Sequence, residues 1–377
     1  MVILPGATIG ILGGGQLARM TAMAGRSLGY KIRVLDPDPR CAAAGVTDEC
    51  IAASFEDAVA ASRLGRGSDV VTYEIERIGP EAARAVTDAA PLRPSAGLLA
   101  MVQDRARQKA WLVDNGFPVG PYREVDDIGG ALAASEALGP ARLKVRSGGY
   151  DGRGQARVPS ATDAAAAFVG LGSVPCVAER ELDLEAELSV LVARRPSGEV
   201  AVYPPARNWH EDGILTLSQL PGELPDAVGR QARDVAEALA TKLALEGLLA
   251  VELFLTTDGR LLVNELSPRP HNTFHTTETA CVTSQFEQLV RAICDLPLGS
   301  TEIVRPSALA NLLGDLWLRD ARPAFDRPLA LPGVRLSLYG KVARPGRKMG
   351  HLLASATTPA AALALVEEAM RSLTQAR

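Results

Sequence analysis

The sequence predicts a mixed α/β and α+β protein: an N-terminal parallel-sheet unit, a central α+β unit and a small C-terminal segment. Three observations predict it. Across residues 7–36 an apolar run, a glycine turn, a helical stretch and a second apolar run follow one another, the βαβ order of an open parallel sheet. Between about 101 and 300 the apolar runs are joined instead by Ser-Gly and Asp-Gly turns, which favour antiparallel hairpins. The 377 residues exceed one ordinary domain and suit two or three, divided here as 1–100, 101–300 and 301–377.

Taken in order, residues 7–12 (Ala-Thr-Ile-Gly-Ile-Leu) read as a buried strand entering Gly13-Gly14-Gly15. A helix follows from Gln16 to Leu28, and a second strand at 31–35 ends at Asp36-Pro37. Asp69-Val-Val-Thr-Tyr73 is a third strand with polar residues at its carboxyl end. A helix over 101–115 is stopped by Gly116-Phe-Pro118, since glycine and proline end helices. Strands are predicted at 141–146, 176–180, 185–194, 198–205, 248–256 and 260–265, with helices over 162–171, 226–246 and 283–296. The turns Arg195-Pro-Ser-Gly-Glu199 and Thr257-Asp-Gly-Arg260 join successive strands as hairpins. A tail after 300, rich in Pro and Arg, ends in a helix near 359–373.

Hydrophobic residues make up 47% and charged residues 22%, enough for a sizeable core. A net charge of −4 gives no electrostatic reason to expect nucleic acid or a membrane surface as partner. The N-terminus has no basic segment followed by an apolar one and reads as the beginning of a folded domain. No apolar run reaches the roughly 18 residues that span a bilayer. Five cysteines, Cys41, Cys50, Cys176, Cys281 and Cys294, show no paired metal spacing. Reduced thiols and a cytoplasmic location are therefore expected.

Gly13-Gly14-Gly15-Gln-Leu-Ala18 has the look of a dinucleotide-binding turn, with Asp36 where a ribose-binding acid would stand, but Ala18 replaces the third glycine of that fingerprint. Such a turn also suits a sugar phosphate, or simply a tight entry into a helix. The stretch Arg146-Ser-Gly-Gly-Tyr-Asp-Gly-Arg-Gly-Gln155 is more telling. Its glycines supply a mobile backbone whose N–H groups can close over phosphates, and Lys144, Arg146 and Arg153 add positive charge. A plain hairpin tip would need only two glycines. Downstream, Glu179-Arg-Glu181-Leu182 ends a strand in a way suited to adenine and ribose, and Glu187 follows.

Glu252 lies within the apolar strand Leu248–Leu255, where a carboxylate is costly unless neutralised. The Thr257-Asp-Gly turn folds Glu265 back beside it. Two carboxylates with the amide of Asn264 form an oxygen set suited to Mg²⁺ bridging nucleotide phosphates. A proton-sharing dyad is the alternative. Beyond them lies Ser267-Pro-Arg269-Pro-His271-Asn272-Thr-Phe-His275-Thr-Thr-Glu278. His271, His275 and Glu278 could be read as zinc ligands, but Pro268 and Pro270 oppose a regular helix, and Arg269 beside His271 and Asn272 better suits an anion such as bicarbonate. His210 stands in a polar, glycine-terminated loop, and Lys341, Arg344, Arg347 and Lys348 surround a Pro-Gly turn. The latter is either a solvated basic loop or a phosphate pocket.

With these residues in hand the chain resembles the ATP-grasp superfamily and, within it, the 5-(carboxyamino)imidazole ribonucleotide synthetases. The likeness rests on Gly13-Gly-Gly-Gln-Leu17, Thr72-Tyr-Glu74, Asp104-Arg105, Ser147–Gln155, Asn264–Asn272, Thr283-Ser-Gln-Phe-Glu287 and Arg344–His351, in that order. It implies a parallel-sheet domain, a central ATP-grasp domain and a small C-terminal domain, assembled as a homodimer. Arg105, Lys144, Gly149, Tyr150, Asp151, Gly152, Arg153, Gly154, Gln155, Glu179, Arg180, Glu181, Leu182, Glu187, His210, Asn264 and Glu265 match the family's ATP contacts. Glu252 and Glu265 match its Mg²⁺ ligands. Asp151, Arg153, Arg269, His271 and Asn272 match catalytic positions; Tyr150, Lys341 and Arg347 match positions around aminoimidazole ribonucleotide and bicarbonate. Glu74 with Gly14, Gly15, Gln16 and Leu17 completes the ribonucleotide site.

The resemblance implies that ATP phosphorylates bicarbonate and that the ribonucleotide's exocyclic amine then takes the carboxyl group, with Asp151 orienting or deprotonating that amine. Thr273-Phe274 stands where the family usually has Ser-Gly, and the loop from Lys341 to Arg347 is a residue tighter than is common. Rival readings are a related ligase, such as a formate-using glycinamide ribonucleotide transformylase or a biotin carboxylase, and an NAD-binding oxidoreductase built on the first 100 residues.

Overall fold

Strands apolar on both faces belong inside parallel sheets, and the N-terminal sheet is made of them. The computed structural model describes residues 1–149 and 154–374. Strands β1 (Thr8–Leu12), β2 (Lys31–Asp36), β3 (Glu49–Ala52) and β4 (Val70–Tyr73) form a parallel sheet in the order β3-β2-β1-β4. Ile9, Ile11, Val70 and Val71 are buried in it. The edge strand β3 was not anticipated, because Glu49-Cys-Ile-Ala is too short and mixed to stand out.

The helix expected over 101–115 is two helices, Ala96–Val102 and Arg105–Asp114. Asp104 makes the break: its carboxylate accepts the N–H groups of Ala106 at 2.9 Å and Arg107 at 3.2 Å, capping the second helix. It also receives Arg146 at 2.9 Å, so one carboxylate ties this helix to the base of the glycine loop. We expect Asp104→Ala to cost at least about 1 kcal/mol, read as a lowered urea midpoint with an unchanged slope. An unmoved midpoint would deny Asp104 this role.

A four-stranded antiparallel sheet follows: β5 (Tyr122–Val125), β6 (Ala141–Val145), β7 (Gln155–Val158) and β8 (Cys176–Arg180), in the order β5-β8-β6-β7. The helices Ile128–Leu138 and Ala161–Gly170 share a core with it, including Val125, Leu138, Leu143 and Phe168. The glycine loop is the tip between β6 and β7, whose register sets Lys144 opposite Gln155.

The remaining strands make a nine-stranded antiparallel sheet. They are β9 (Leu184–Arg194), β10 (Val200–Val202), β11 (Ala206–Glu211), β12 (Ile214–Leu220), β13 (Gly247–Thr256), β14 (Leu261–Ser267), β15 (Ser307–Leu313), β16 (Val334–Leu338) and β17 (Lys348–Ser355). Their order is β14-β13-β9-β11-β12-β15-β17-β16, with β10 beside β9. The C-terminal strands thus extend the central sheet through the β12–β15 pairing. The strand expected at 198–205 shrinks to β10, and the helices Asp226–Lys242 and Gln285–Ile293 stop short of 246 and 296. Ala244 and Asp295, at φ 45° and 59°, turn the chain out of the helix soon after each end. Helix Asp226–Lys242 packs on one face of the sheet, while Leu289 and Ile293 join Leu191 and Leu248 in a core shared with Ile9 and Ile11 of the first sheet. The C-terminal helix Pro359–Thr374 covers β15 and β17. No helix among the described residues is long and apolar enough to cross a membrane.

Candidate active site

The glycine turn after β1 is built around carboxylates. Gly14 donates its N–H to Asp36 Oδ2 at 2.8 Å, and Glu74 accepts from the N–H of Gly15 at 2.6 Å and of Ala18 at 3.1 Å. A Cβ on Gly15 would fall 2.4 Å from Glu74 Oε1 and would displace that carboxylate. A dinucleotide would need these N–H groups for its pyrophosphate and Asp36 for its ribose; here Asp36 and Glu74 themselves take the N–H groups of Gly14 and Gly15. Burial outweighs the N–H groups, Lys341 and Arg269, and holds the Glu74 carboxyl above its ordinary range. Lys341 reaches the Gln16 side chain across the chain and lies 5.3 Å from the Tyr339 ring centre. Gly14, Gly15, Gln16, Glu74 and Lys341 therefore converge. Leu17 is buried instead, and Arg347 donates to the Val342 carbonyl of its own loop at 3.0 Å.

A second cluster lies where helix Arg105–Asp114 meets the β5-β8-β6-β7 sheet. Arg105 pairs with Glu265 at 2.7 Å. Glu179 takes both Lys144, at 2.8 Å, and Lys109, at 3.2 Å. Burial alone would raise the Glu179 carboxyl, but the two ammonium groups outweigh it and bring it to about 2. Lys109 was missed in the sequence, although its place four residues after Arg105 puts both cations on one helix face. Arg180 donates to the Leu138 carbonyl at 2.9 Å and Glu181 pairs with Arg157 at 2.9 Å, so both engage the framework of the four-stranded sheet and its helices. Leu182 lies against Gly120, where a Cβ would meet it at 3.4 Å.

His210 is on β11 and not in a loop; the Asp212-Gly213 turn that follows closes the β11–β12 hairpin. Its Nδ1 stands 2.9 Å from Glu187 on β9. Burial lowers this imidazole's pKa, but Glu187 and then Glu252 outweigh it and favour the charged form. Gly149 and Gly154 face each other at the loop base, and Gly154, at φ +72°, leaves no room for a Cβ beside Val145. Tyr150, Asp151 and Arg153, the residues expected to meet the acceptor, lie outside the described residues, as does Gly152, expected at ATP.

The third cluster is the carboxylate pair. β13 and β14 set Glu252 opposite Glu265 in register, next to a bulge between Glu252 and Leu253. Asn264 Nδ2 donates to Glu252 Oε2 at 3.2 Å, while Asn264 Oδ1 is buried without a partner. His271 Nε2 lies 3.1 Å from Glu252 Oε1. Burial would raise the Glu252 carboxyl; the bond to His271 and the nearby cations hold it well below its ordinary range. Two carboxylate groups and an unpaired amide oxygen suit a hard divalent cation that completes its shell with phosphate and water. Among the described residues no group of three or more His, Cys, Asp or Glu is placed to hold a metal ion.

Arg269 pairs with Glu76 at 2.7 Å, and both ends of the buried Asn272 amide lack partners. Phe274 is 0% exposed and packs near Tyr203, so it fills the core. His275 stacks 4.5 Å from His351, whose Nδ1 meets the Tyr339 hydroxyl at 2.6 Å. Burial holds both imidazoles neutral, His351 at about 3.

Residues 6–103 match the ribonucleotide synthetase preATP-grasp domain, 110–286 the ATP-grasp domain and 307–365 the phosphoribosylaminoimidazole carboxylase C-terminal domain. The N5-carboxyaminoimidazole ribonucleotide synthase of Brucella melitensis is 42% identical over 352 residues, covering 92% of this chain and 96% of the relative. An ADP complex of N5-carboxyaminoimidazole ribonucleotide synthetase superposes with a TM-score of 0.91 at 40% identity, over 99% of each chain. The Aspergillus clavatus enzyme in complex with ADP and 5-aminoimidazole ribonucleotide gives 0.89 at 31% identity, over 97% of this chain and 98% of that one. With the three domains in sequence and full-length likeness at this identity, the chain belongs to the N5-carboxyaminoimidazole ribonucleotide synthase family of ATP-grasp ligases.

Proposed function

We propose that this protein uses ATP and bicarbonate to carboxylate the exocyclic amine of 5-aminoimidazole ribonucleotide, a step of de novo purine synthesis. The observation that carries this reading is the contact of His271 with Glu252. It joins the phosphate-side carboxylates to an anion loop whose Asn272 amide is buried and unpaired. Nucleotide phosphates at Lys144, Arg105 and the glycine loop would thus lie next to a small anion at Arg269, His271 and Asn272.

Glu252 and Glu265 would hold Mg²⁺, which would supply charge neutralisation for the transferred phosphoryl group. Arg269 and His271 bind and orient bicarbonate so that its oxygen displaces ADP from the γ-phosphorus, giving carboxyphosphate. Glu74, Gln16 and Lys341 hold the ribonucleotide so that its amine attacks the carboxyl carbon and phosphate leaves. Asp151 takes the amine proton in this reading, on sequence grounds alone. The glycine loop, closing over the cleft, keeps water from the acyl phosphate.

The test is ADP release with each substrate omitted in turn. Release should require both bicarbonate and the ribonucleotide. Formate supporting turnover in place of bicarbonate would point to the transformylase reading, and tight NADH binding without ATP competition would revive the oxidoreductase.

A further inference from the structure

The motif Thr283-Ser-Gln-Phe-Glu287 has no role in the account so far, yet its glutamine is fully buried beneath the anion loop. Gln285 Oε1 accepts the backbone N–H of His271 at 2.9 Å, and Gln285 Nε2 donates to the His271 carbonyl at 3.0 Å. The side-chain amide therefore pairs with one residue's main chain as a neighbouring strand would, using both donor and acceptor. Its own backbone is held in turn: the Gln285 N–H donates to Thr277 Oγ1 at 2.9 Å, and that hydroxyl donates to the Phe274 carbonyl at 2.6 Å. The next residue, Phe286, stacks 5.6 Å from His275. The start of helix Gln285–Ile293 thus grips the Pro-flanked loop on both sides of Asn272, where backbone pairing with a strand is absent.

We propose that Gln285 is a positioning residue for bicarbonate activation, fixing the His271 backbone so that its imidazole stays against Glu252 and faces the anion. One planar amide thus ties the peptide units on both sides of the His271 Cα. Without the clamp the buried His271 N–H loses its partner and its carbonyl keeps only the Phe274 N–H at 3.1 Å, so the loop must shift to satisfy the N–H. A shift of about 1 Å in a reacting group can cost roughly 10²-fold in rate. Gln285 acts through His271 and touches no substrate. The inference rests on the bicarbonate reading of the Arg269–Asn272 loop.

The experiment compares Gln285→Met, which keeps the volume and loses both bonds, with the wild type in steady-state ADP release. The KM for bicarbonate should rise and kcat should fall, with kcat/KM for bicarbonate down roughly 10²-fold, while the KM for ATP stays within twofold. A purely structural role would lower the active fraction and leave every KM alone. Gln285→Glu keeps the acceptor for the His271 N–H and loses the donor for its carbonyl; it should show the same split and serves if the methionine variant does not fold. His271→Ala separates the two ideas. If it raises the bicarbonate KM and a folded Gln285 variant does not, the positioning role is wrong. If His271→Ala itself leaves that KM unchanged, the bicarbonate reading beneath it is wrong.

Discussion

Glu265→Ala should abolish ADP formation, leaving less than about 10⁻³ of the wild-type rate. Glu265 is the partner of Glu252 in the β13–β14 register, and its other neighbour is Arg105 at 2.7 Å. On the proposed assignment, losing the carboxylate would remove a ligand for the divalent ion and leave the Arg105 guanidinium without this ion-pair partner. A bound cation contributes several kcal/mol to phosphoryl transfer, and about 4 kcal/mol corresponds to roughly 10³-fold in rate. Glu252→Ala should do comparable harm by a second route, because His271 then loses its contact 3.1 Å away. Chelation of divalent ions should stop the wild type reversibly, with added Mg²⁺ restoring turnover. A Glu265→Ala enzyme that turns over at the wild-type rate would sink the metal assignment.

Glu179→Ala should destabilise the protein by about 3–5 kcal/mol, the usual cost of stripping a partner from a buried ion pair. The Lys109 and Lys144 side chains are only 5% and 12% exposed, and both depend on this carboxylate. Without it two ammonium groups face each other where water cannot spread their charge. Because Lys144 and Glu179 lie on β6 and β8 and Lys109 on helix Arg105–Asp114, ATP affinity should fall as well. The sign of the pH effect follows from the depressed carboxyl. From an ordinary 4.5 it is brought to about 2 in the folded state, so its contribution is complete above about pH 4.5 and is lost as pH falls toward 2. Urea unfolding of the variant at neutral pH checks the claim. A loss under about 1 kcal/mol would mean that the lysines are not held by Glu179.

What was legible in the sequence was local. The Thr257-Asp-Gly turn fixes a hairpin, so the return of Glu265 to the neighbourhood of Glu252 could be read, but the register near the turn points Glu252 at Asn264 and the bulge between Glu252 and Leu253 shifts its partner to Glu265. The break at Asp104 was equally local, since an aspartate ahead of a helix is a cap signal, but the apolar run before it concealed the stop. His210 was assigned to a loop because Arg207-Asn-Trp-His-Glu looks polar; a bulge at Trp209/His210 interrupts the alternation that would have marked a strand.

The rest was long-range. Nothing near Gly15 announces that its N–H is occupied by Glu74, 59 residues on, or that Lys341 meets Gln16 from 325 residues away. The C-terminal strands join the central sheet through β12 and β15, a pairing no local pattern specifies. Resemblance supplied the roles of Arg269, His271 and Asn272. The amide clamp of Gln285 on His271 became visible only with both segments in place.

The most direct measurement concerns the oxygen that bicarbonate gives up. If bicarbonate is phosphorylated by ATP before its carboxyl group moves to the ribonucleotide amine, fresh ¹⁸O-labelled bicarbonate should deliver one labelled oxygen to each phosphate released with ADP. Phosphate free of label while the ribonucleotide is carboxylated would contradict the account.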